Sequence, residues 1–250
     1  MDKNSMLYWY PKIKDLDIPQ PKTIIIKVNP KVAFDVIDGK GTYPEVDKFI
    51  EAIKLLGLPV FIRTDQMSGK HEWNQTCYFD APVPSHSSLL GHIYHLVEAT
   101  MGCDVIGRPI NAFCFREYIP MDSKYTAFWG DMPVNPERRY FVENGKALCH
   151  HVYWTKDSII NPSAKNWEEL SEEMNTQTSY EIDLLTAYAI MVSTEFEGFW
   201  SVDFCRAKDG RWILIDMAVG ENSWHSKDCP NNRTKEIDYL QHFAKKAGVE

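Results

Sequence analysis

The chain has 250 residues, of which 44% are hydrophobic and 25% are charged, and its formal net charge is −8. This composition is typical of a soluble globular protein with one large domain or two small lobes, and the acidic balance argues against nucleic acid as a partner. A membrane is not an expected partner either, because no apolar run approaches the roughly 20 residues that a membrane span requires.

The first half of the chain predicts alternating strands and helices. The expected elements are a strand over 23–28, a helix over 44–56, a strand over 59–63, a helix over 87–101 and a strand over 112–119. The first helix has apolar residues at helical spacing and ends at Gly57. The last strand stops at Pro120, which cannot continue a ladder of backbone hydrogen bonds.

The second half predicts two hairpins and two helices. The expected elements are a hairpin over 138–153 with Asn144-Gly145 at its turn, a helix over 180–193, a hairpin over 200–217 and a helix over 233–246. A segment rich in turn residues over 122–136 marks a lobe junction. We therefore expect an α+β fold with an N-terminal lobe over 1–120 and a C-terminal lobe over 121–250.

The hairpin over 200–217 carries the most informative motif. If Asp209-Gly210 is a two-residue turn, Asp203 and Asp216 lie directly opposite each other, with β-carbons roughly 4.5–5.5 Å apart. Like charges at that distance within apolar strands are destabilising, and a cation between them would remove the repulsion. Mg²⁺ favours one or two carboxylates together with substrate phosphates, so the hairpin predicts a magnesium–nucleotide site. The alternative is a solvated sheet face on which the acids meet lysines or arginines.

The loop after the second strand predicts phosphate binding. Arg63 ends the strand, and Ser68, Gly69 and Lys70 form a turn whose backbone and side chains can donate to phosphate oxygens. The pattern lacks the full P-loop spacing, and an ordinary solvated turn is the alternative.

Two further pairs of charged residues end or begin predicted strands. Arg116 and Glu117 close an apolar strand, which often marks the edge of a cleft. Arg138 and Arg139 are adjacent on a strand, so one of them must point to the packed or concave side. A phosphate would suit that guanidinium, and a salt bridge within the protein is the alternative.

The histidines and cysteines do not predict a metal site. His150 and His151 follow Cys149, but adjacent strand residues point to opposite faces, and no third and fourth zinc ligands appear at a usual spacing. The chain has six cysteines and no C-x-x-C pair, and its N-terminus has no secretory signal. We therefore expect a reduced cytoplasmic location, which is the host cytoplasm if the protein is viral.

In their order along the chain, these motifs resemble the ATP-grasp superfamily. Its members hold ATP between two α+β lobes and typically join a carboxylate to an amine through an acyl phosphate. The similar segments are 18–23 before the first strand, 59–70 with the glycine loop, 114–119 as the hinge strand, 137–153 as the arginine hairpin and the aspartate hairpin. The similarity covers about residues 18–225.

The resemblance implies a role for each motif residue. The implied catalytic residues, which would stabilise the transferred phosphoryl group, are Arg63, Lys70 and Arg139. The implied ATP contacts are Lys27, Ser68, Gly69, Glu117 and Tyr118. The implied Mg²⁺ ligands are Asp203, Asp216 and Asn222.

Two positions depart from the family pattern. Most members have lysine where Arg63 stands, and most have asparagine two residues after the last acid, where this chain has Ala218. Asn222 is expected to supply the missing ligand from the following loop. The arginine and the short N-terminus are closer to a divergent clade of phages and bacteria, and a eukaryotic relative in that clade helps to assemble a translation initiation factor.

The resemblance therefore implies an ADP-forming carboxylate–amine ligase that uses ATP and Mg²⁺. The carboxylate and the amine are not identified by the sequence, and a peptide or protein is among the candidate substrates. A second hypothesis is an ATP-binding assembly factor without ligase chemistry, and a third is an interaction protein without a nucleotide site.

Overall fold

A computed structural model describes residues 2–81, 86–102 and 109–234 of the chain. The elements of its first half are helix α1 (Met6–Ile13), strand β1 (Thr23–Lys27), helix α2 (Val32–Ile37), helix α3 (Val46–Leu56), strand β2 (Val60–Thr64), helix α4 (Trp73–Thr76), strand β3 (Tyr78–Phe79), helix α5 (His86–Gly102) and strand β4 (Ala112–Glu117). A short 3-10 helix, Lys70–Glu72, precedes α4.

The elements of the second half are strands β5 (Tyr125–Ala127), β6 (Met132–Val134), β7 (Glu137–Glu143) and β8 (Lys146–Val152), helices α6 (Trp167–Asn175) and α7 (Ser179–Ser193), and strands β9 (Phe199–Arg206) and β10 (Trp212–Val219). Two more 3-10 helices are Lys156–Ser158 and Gly220–Asn222. The predicted helix over 233–246 falls almost entirely outside the described residues.

Two antiparallel sheets of four strands organise the molecule. The first has the order β1-β4-β2-β3, and the second has the order β10-β9-β7-β8. β5 and β6 form a separate two-stranded sheet. The predicted α+β class is confirmed, and the predicted strands and helices that lie within the described residues form at their expected places.

The first sheet packs against α2, α3 and α5. Apolar residues from the strands and from these helices form one buried cluster, which includes Phe49, Ile62, Leu96 and Phe113. The packing uses one face of each strand because successive side chains alternate across a sheet. Arg63 and Arg116 lie two residues apart in strand register, on β2 and β4, and both are buried.

The second sheet packs against α1 and α7. Met6, Trp9 and Ile13 of α1 belong to the same buried cluster as Trp200 and Phe204 of β9. The start of the chain is therefore part of the core of the second sheet. Sequence patterns did not predict α1, because Pro11 interrupts a segment of only eight residues.

The hydroxyl of Ser5 caps α1 and links it to the first sheet. It accepts a hydrogen bond from the amide of Leu7 and donates to Oδ2 of the buried Asp65 at 2.6 Å. Oδ1 of Asp65 accepts from the amides of Asn111 and Ala112 at 3.0 and 3.2 Å. This carboxylate therefore ties the end of β2 to α1 and to the start of β4.

A short extended segment after β4 connects the two large sheets. Met121 forms an isolated bridge with Ala207, and the amide of Lys208 donates to the carbonyl of Pro120 at 2.9 Å. These contacts place the end of β4 beside the tip of the β9–β10 hairpin. Among the described helices, none has the length and apolar character that crossing a membrane would require.

Candidate functional site

A cavity of about 620 Å³ is lined by residues of both large sheets. Its apolar lining includes Phe61, Met67, Trp73, Ile119, Met121 and Met132. Its charged lining includes Arg63, Lys70, Arg116, Glu117, Glu137, Asp203 and Asp216. A cavity of this size with apolar surface and a few convergent polar groups is typical of a small-molecule site.

The tip of the β9–β10 hairpin is a three-residue loop. The amide of Ala207 donates to the carbonyl of Arg211 at 2.8 Å, and Gly210 has a φ of +89°. The predicted two-residue turn is therefore wrong. The extra residue displaces the pairing by one position, which by itself would move Asp216 away from Asp203.

A β-bulge restores the predicted register. The pairing shifts by one residue between Leu214 and Asp216, so Asp216 lies opposite Asp203. The carbonyl of the intervening Ile215 accepts a hydrogen bond of 2.6 Å from NH1 of Arg116. The predicted pairing of the two aspartates is thus confirmed, and the bulge binds an arginine of the first sheet.

Arg63 forms an ion pair with Asp216 across the cavity. NH1 of Arg63 lies 2.9 Å from Oδ1 of Asp216, and only 4% of the arginine side chain is exposed, against 39% of the aspartate. Burial acts to lower the pKa of Arg63, but the facing carboxylate outweighs it and the pKa is raised. Arg63 therefore stays charged although it is buried.

Arg139 holds the second aspartate in a two-point contact. Its Nε and NH2 donate to Oδ1 and Oδ2 of Asp203 at 2.8 and 2.7 Å. Burial opposes the charge on Arg139, and the carboxylate of Asp203 raises its pKa. His151, Arg139, Asp203 and Asp216 are successive cross-strand neighbours on four strands of one sheet.

The two aspartates are therefore neutralised by arginines. Asp203 has Arg139 and Asp216 has Arg63, so no unpaired pair of buried carboxylates remains to demand a cation. The expectation that the two acids repel each other unless a metal lies between them was wrong on this point. The alternative, in which the acids meet basic side chains, describes the observed contacts.

Lys70 crosses from the first sheet's loop to β7. Its Nζ lies 3.5 Å from Oε2 of Glu137 and over the rings of Tyr153 and Trp154, at 4.2 and 4.5 Å from the ring centroids. Burial acts against its charge, but Glu137 raises the pKa of Lys70 overall. Burial also raises the pKa of Glu137, and Lys70 opposes that change.

Ser68 and Gly69 line the same cavity beside Lys70. Gly69 has a φ of +62°, and a β-carbon there would lie 3.2 Å from Cβ of Thr76. The hydroxyl of Thr76 donates to the carbonyl of Gly69 at 2.7 Å. Both the left-handed backbone and the close packing require glycine at this turn.

Glu117 and Tyr118 also line the cavity, at the end of the predicted hinge strand. The amide of Glu117 donates to the carbonyl of Lys22 at 2.8 Å, which fixes the strand end. Tyr118 packs edge-on against Tyr78, with centroids 5.1 Å apart. Tyr78 in turn stacks on Trp73.

Two predicted site residues are not among the residues that line the cavity. Lys27 is exposed at the end of β1 that faces Ala112, whereas Thr23 at the other end faces Arg116. Asn222 is exposed in the 3-10 helix that follows β10. The structure therefore brings the predicted basic, loop, hinge and aspartate residues together and leaves these two outside.

The structure also shows which residues sequence reasoning missed. Glu137 pairs with Lys70, and Arg116 binds the bulge in β10. Arg116 carried a signal, since a charged residue ended an otherwise apolar strand. Glu137 carried none, because only the tertiary contact with Lys70 distinguishes it from a surface glutamate. Arg138 forms the predicted type of salt bridge, with Glu181 of α7 at 2.9 Å.

A family model for an ATP-grasp domain, the third family of its clade, matches residues 55–237. The solved structure of C-terminally truncated Cdc123 from Schizosaccharomyces pombe is similar over 86% of this chain and 83% of that chain, with 14% identity and a TM-score of 0.52. No protein of curated function matches the sequence.

Two further solved structures are similar at lower scores. A RimK domain ATP-grasp protein from Sphaerobacter thermophilus DSM 20745 has 12% identity and a TM-score of 0.44, over 98% of this chain and 64% of that chain. The ATP-grasp ligase PsnB, complexed with precursor peptide PsnA2 and AMPPNP, has 10% identity and a TM-score of 0.42, over 87% of this chain and 49% of that chain. This chain therefore spans about half to two thirds of the length of these two proteins.

Proposed function

Because the chain belongs to this ATP-grasp domain family, we propose that it binds ATP in the cavity between its two sheets and acts as an ADP-forming carboxylate–amine ligase. The supporting observation is the set of ion pairs in which Arg63 and Arg139, from different sheets, hold Asp216 and Asp203. These groups supply both the cations that a triphosphate requires and the carboxylates that a divalent metal requires.

The basic residues are the proposed partners of the phosphates. Arg63, Lys70 and Arg139 lie around the aspartate pair, and each is kept charged by a carboxylate in a largely buried position. A triphosphate would offer these side chains other anionic acceptors. Ser68 and Gly69, next to Lys70 in the cavity lining, are proposed as further donors to the phosphate oxygens.

The end of β4 is the proposed contact for the nucleoside. Glu117 and Tyr118 line the cavity together with Phe61, Trp73 and Met121. A carboxylate can accept from ribose hydroxyls or the adenine amino group, and aromatic and thioether side chains provide surface for a purine ring. Lys27 and Asn222 lie outside the lining and are left out of the proposed site.

The donor set fits Mg²⁺ at the two aspartates. Oδ1 of Asp216 meets Arg63 and the amide of Met217 at 2.9 and 3.0 Å, while 39% of the side chain stays exposed. Asp203 would contribute once Arg139 turned to an anionic ligand. Mg²⁺, when bound there, would neutralise phosphate charge.

The protein's part in the proposed reaction is positioning and charge stabilisation. A carboxylate oxygen of the substrate would attack the γ-phosphorus, the bond to the β-phosphate oxygen would break, and ADP and an acyl phosphate would form. An amine would then attack the acyl carbon and release phosphate. Arg63, Lys70 and Arg139 would stabilise the charge on the transferred group, and no protein nucleophile is required. A peptide or protein is among the proposed substrates.

Calorimetric titration of the protein with Mg-ATP tests the binding site. We expect a one-to-one binding isotherm that disappears when magnesium is omitted. ADP formation, measured with peptides as the carboxylate source and hydroxylamine as a general amine, tests the ligase chemistry. No heat of binding would contradict the nucleotide site, and nucleotide binding without any hydroxamate would contradict the ligase proposal for those peptides.

The second candidate function is an ATP-binding assembly factor without ligase chemistry. Ala218 favours it, because an alanine two residues after Asp216 offers no metal ligand where most superfamily members have asparagine. Such a protein would bind Mg-ATP and a protein partner and would release no ADP on addition of an amine. The two measurements above therefore distinguish the candidates.

A further inference from the structure

Four metal-ligating side chains meet between β8 and the segment that follows β10. They are Cys149 and His151 on β8, and His225 and Cys229 in the later segment. Their ligand atoms all lie within 4.8 Å of one another, and Sγ of Cys149 lies 3.3 Å from Nε2 of His225. The cluster is distinct from the residues that line the cavity.

We propose that these four residues form a structural zinc site. Two thiolates and two imidazoles are the ligand set that Zn²⁺ prefers, and Mg²⁺ prefers oxygen ligands instead. Zinc–sulfur and zinc–nitrogen bonds of about 2.3 and 2.0–2.1 Å imply ligand separations of about 3.3–3.8 Å in a tetrahedron. A contraction of about 1 Å at most would close the observed cluster to that size.

The surroundings of the histidines support a metal ligand role. Nε2 of His151 is buried and has no hydrogen-bond partner among the described residues, which is an expensive state for a polar atom. The rings of His151 and His225 lie 4.9 Å apart, and His225 stacks on Phe141 at 3.7 Å. The packing therefore fixes the orientation of His225 beside Cys149.

The protonation states of the imidazoles are those that a metal requires. Burial lowers the pKa of His225 to about 4, and it also lowers the pKa of His151. Both rings are therefore neutral near pH 7 and have a free lone pair. Burial raises the pKa of Cys149 to about 12, so metal binding would have to displace the thiol proton, as it does in thiolate sites generally.

The strand geometry explains why only one of two adjacent histidines belongs to the site. Cys149 and His151 are two residues apart on β8, and alternation places both side chains on one face. His150 lies on the opposite face, where its ring stacks on Tyr140 at 4.9 Å. His150 is therefore a control residue with the same chemistry and the same neighbours in sequence.

Zinc would fasten the segment after β10 to the edge strand of the second sheet. The carbonyl of Trp224, next to His225, accepts from NH1 of Arg139 at 3.3 Å. Asn231 also reaches β8, with its amide donating to the carbonyl of Leu148 at 3.2 Å. All four coordination positions come from the protein, so the site is structural, and it holds the backbone that supports Arg139.

Metal analysis of untagged protein, purified with a thiol reductant and without added metal, tests the proposal. We expect about one zinc per chain. After removal of zinc with a chelator, titration with Co²⁺ should give the visible d–d bands of a tetrahedral site and a thiolate-to-cobalt charge-transfer band. Zinc well below one per chain, together with an octahedral cobalt spectrum or none, would overturn the proposal.

Matched variants assign the ligands. His151→Gln and Cys229→Ser should lose the zinc, whereas His150→Gln should retain it. Equal zinc content in His151→Gln and His150→Gln would overturn the assignment. If a variant fails to fold, the cobalt spectrum of the wild-type chain decides the question. A disulfide between Cys149 and Cys229 that persists in reductant, found by mass spectrometry, would also overturn the proposal. Zinc binding at this cluster requires no ATP in the cavity.

Discussion

Asp203 lies opposite Asp216 across one rung of β9 and β10, and each carboxylate is bound by an arginine from a different strand. Arg139 comes from the adjacent strand of the same sheet, whereas Arg63 comes from the other sheet. The aspartate pair is thus the place where the two sheets meet through charge. A ligand that competes for either arginine would act on this contact directly.

The first prediction concerns the two aspartates. Asp203→Asn and Asp216→Asn should each weaken magnesium-dependent ATP binding at least about tenfold, because an amide is a poor ligand for a hard cation. Asp209→Asn at the exposed hairpin tip is the matched control and should bind as the wild type does. Calorimetric titration with and without magnesium measures the effect, and unchanged affinity in both site variants would exclude the proposed metal ligands.

The second prediction separates two adjacent arginines. Arg138→Met should lower the free energy of unfolding by about 3–5 kcal/mol, because it leaves the buried Glu181 without its charged partner. Arg139→Met should mainly weaken ATP binding, since Arg139 faces the aspartate pair. Urea denaturation and ATP titration of both variants provide the measurement. A larger loss of stability in Arg139→Met than in Arg138→Met would show that the roles are assigned wrongly.

The third prediction concerns the contact between the loop after β5 and the phosphate loop. A β-carbon at Gly130 would lie 2.4 Å from the amide nitrogen of Trp73, so Gly130→Ala must displace backbone and should lower stability by about 1–3 kcal/mol. Gly91 on α5 has no atom within 4 Å of such a β-carbon. Gly91→Ala should therefore raise stability by up to about 1 kcal/mol.

Thermal unfolding of both glycine variants checks this pair. The result that would contradict the packing argument is an unchanged midpoint in Gly130→Ala. The same variant should also bind ATP less well, because the loop 70–73 carries Lys70. Gly91→Ala lies away from the cavity lining and serves as the binding control.

The fourth prediction is a pH dependence that arises at His92. Burial lowers the pKa of this histidine to about 4 in the folded protein, against an ordinary value near 6.5 in the unfolded chain. Between these values the unfolded chain binds the extra proton, so stability falls as the pH falls from 6.5 towards 4. His92 should account for a loss of about 2 kcal/mol between pH 7 and pH 5.

Denaturation of the wild type and of His92→Gln at pH 5, 7 and 8 measures this loss. The variant should lose about 2 kcal/mol less than the wild type between pH 7 and pH 5. Between pH 7 and pH 8 the two proteins should change in parallel, because the histidine is neutral in both states. Equal losses at pH 5 would show that His92 is not the group responsible.

Local patterns were sufficient for most of the strands, for the longer helices and for the relation between the two aspartates. The Asn144-Gly145 turn joins β7 to β8 as predicted, since left-handed residues at both positions suit a two-residue hairpin. The aspartate register was predicted correctly from an incorrect turn. The bulge at Ile215 cancelled the error, and a bulge that answers to Arg116 on another strand is not visible in a local pattern.

The sequence alone determined the fold class, the order of the motifs and the residue types that face the cavity, because periodicity and turn chemistry are local properties. Tertiary structure decided which charges meet: Arg63 with Asp216, Arg139 with Asp203, and Lys70 with Glu137. It also brought His225 to Cys149 across 76 positions of sequence. Long-range contacts of this kind depend on how whole sheets pack, and the spacing of residues along one strand carries no information about them.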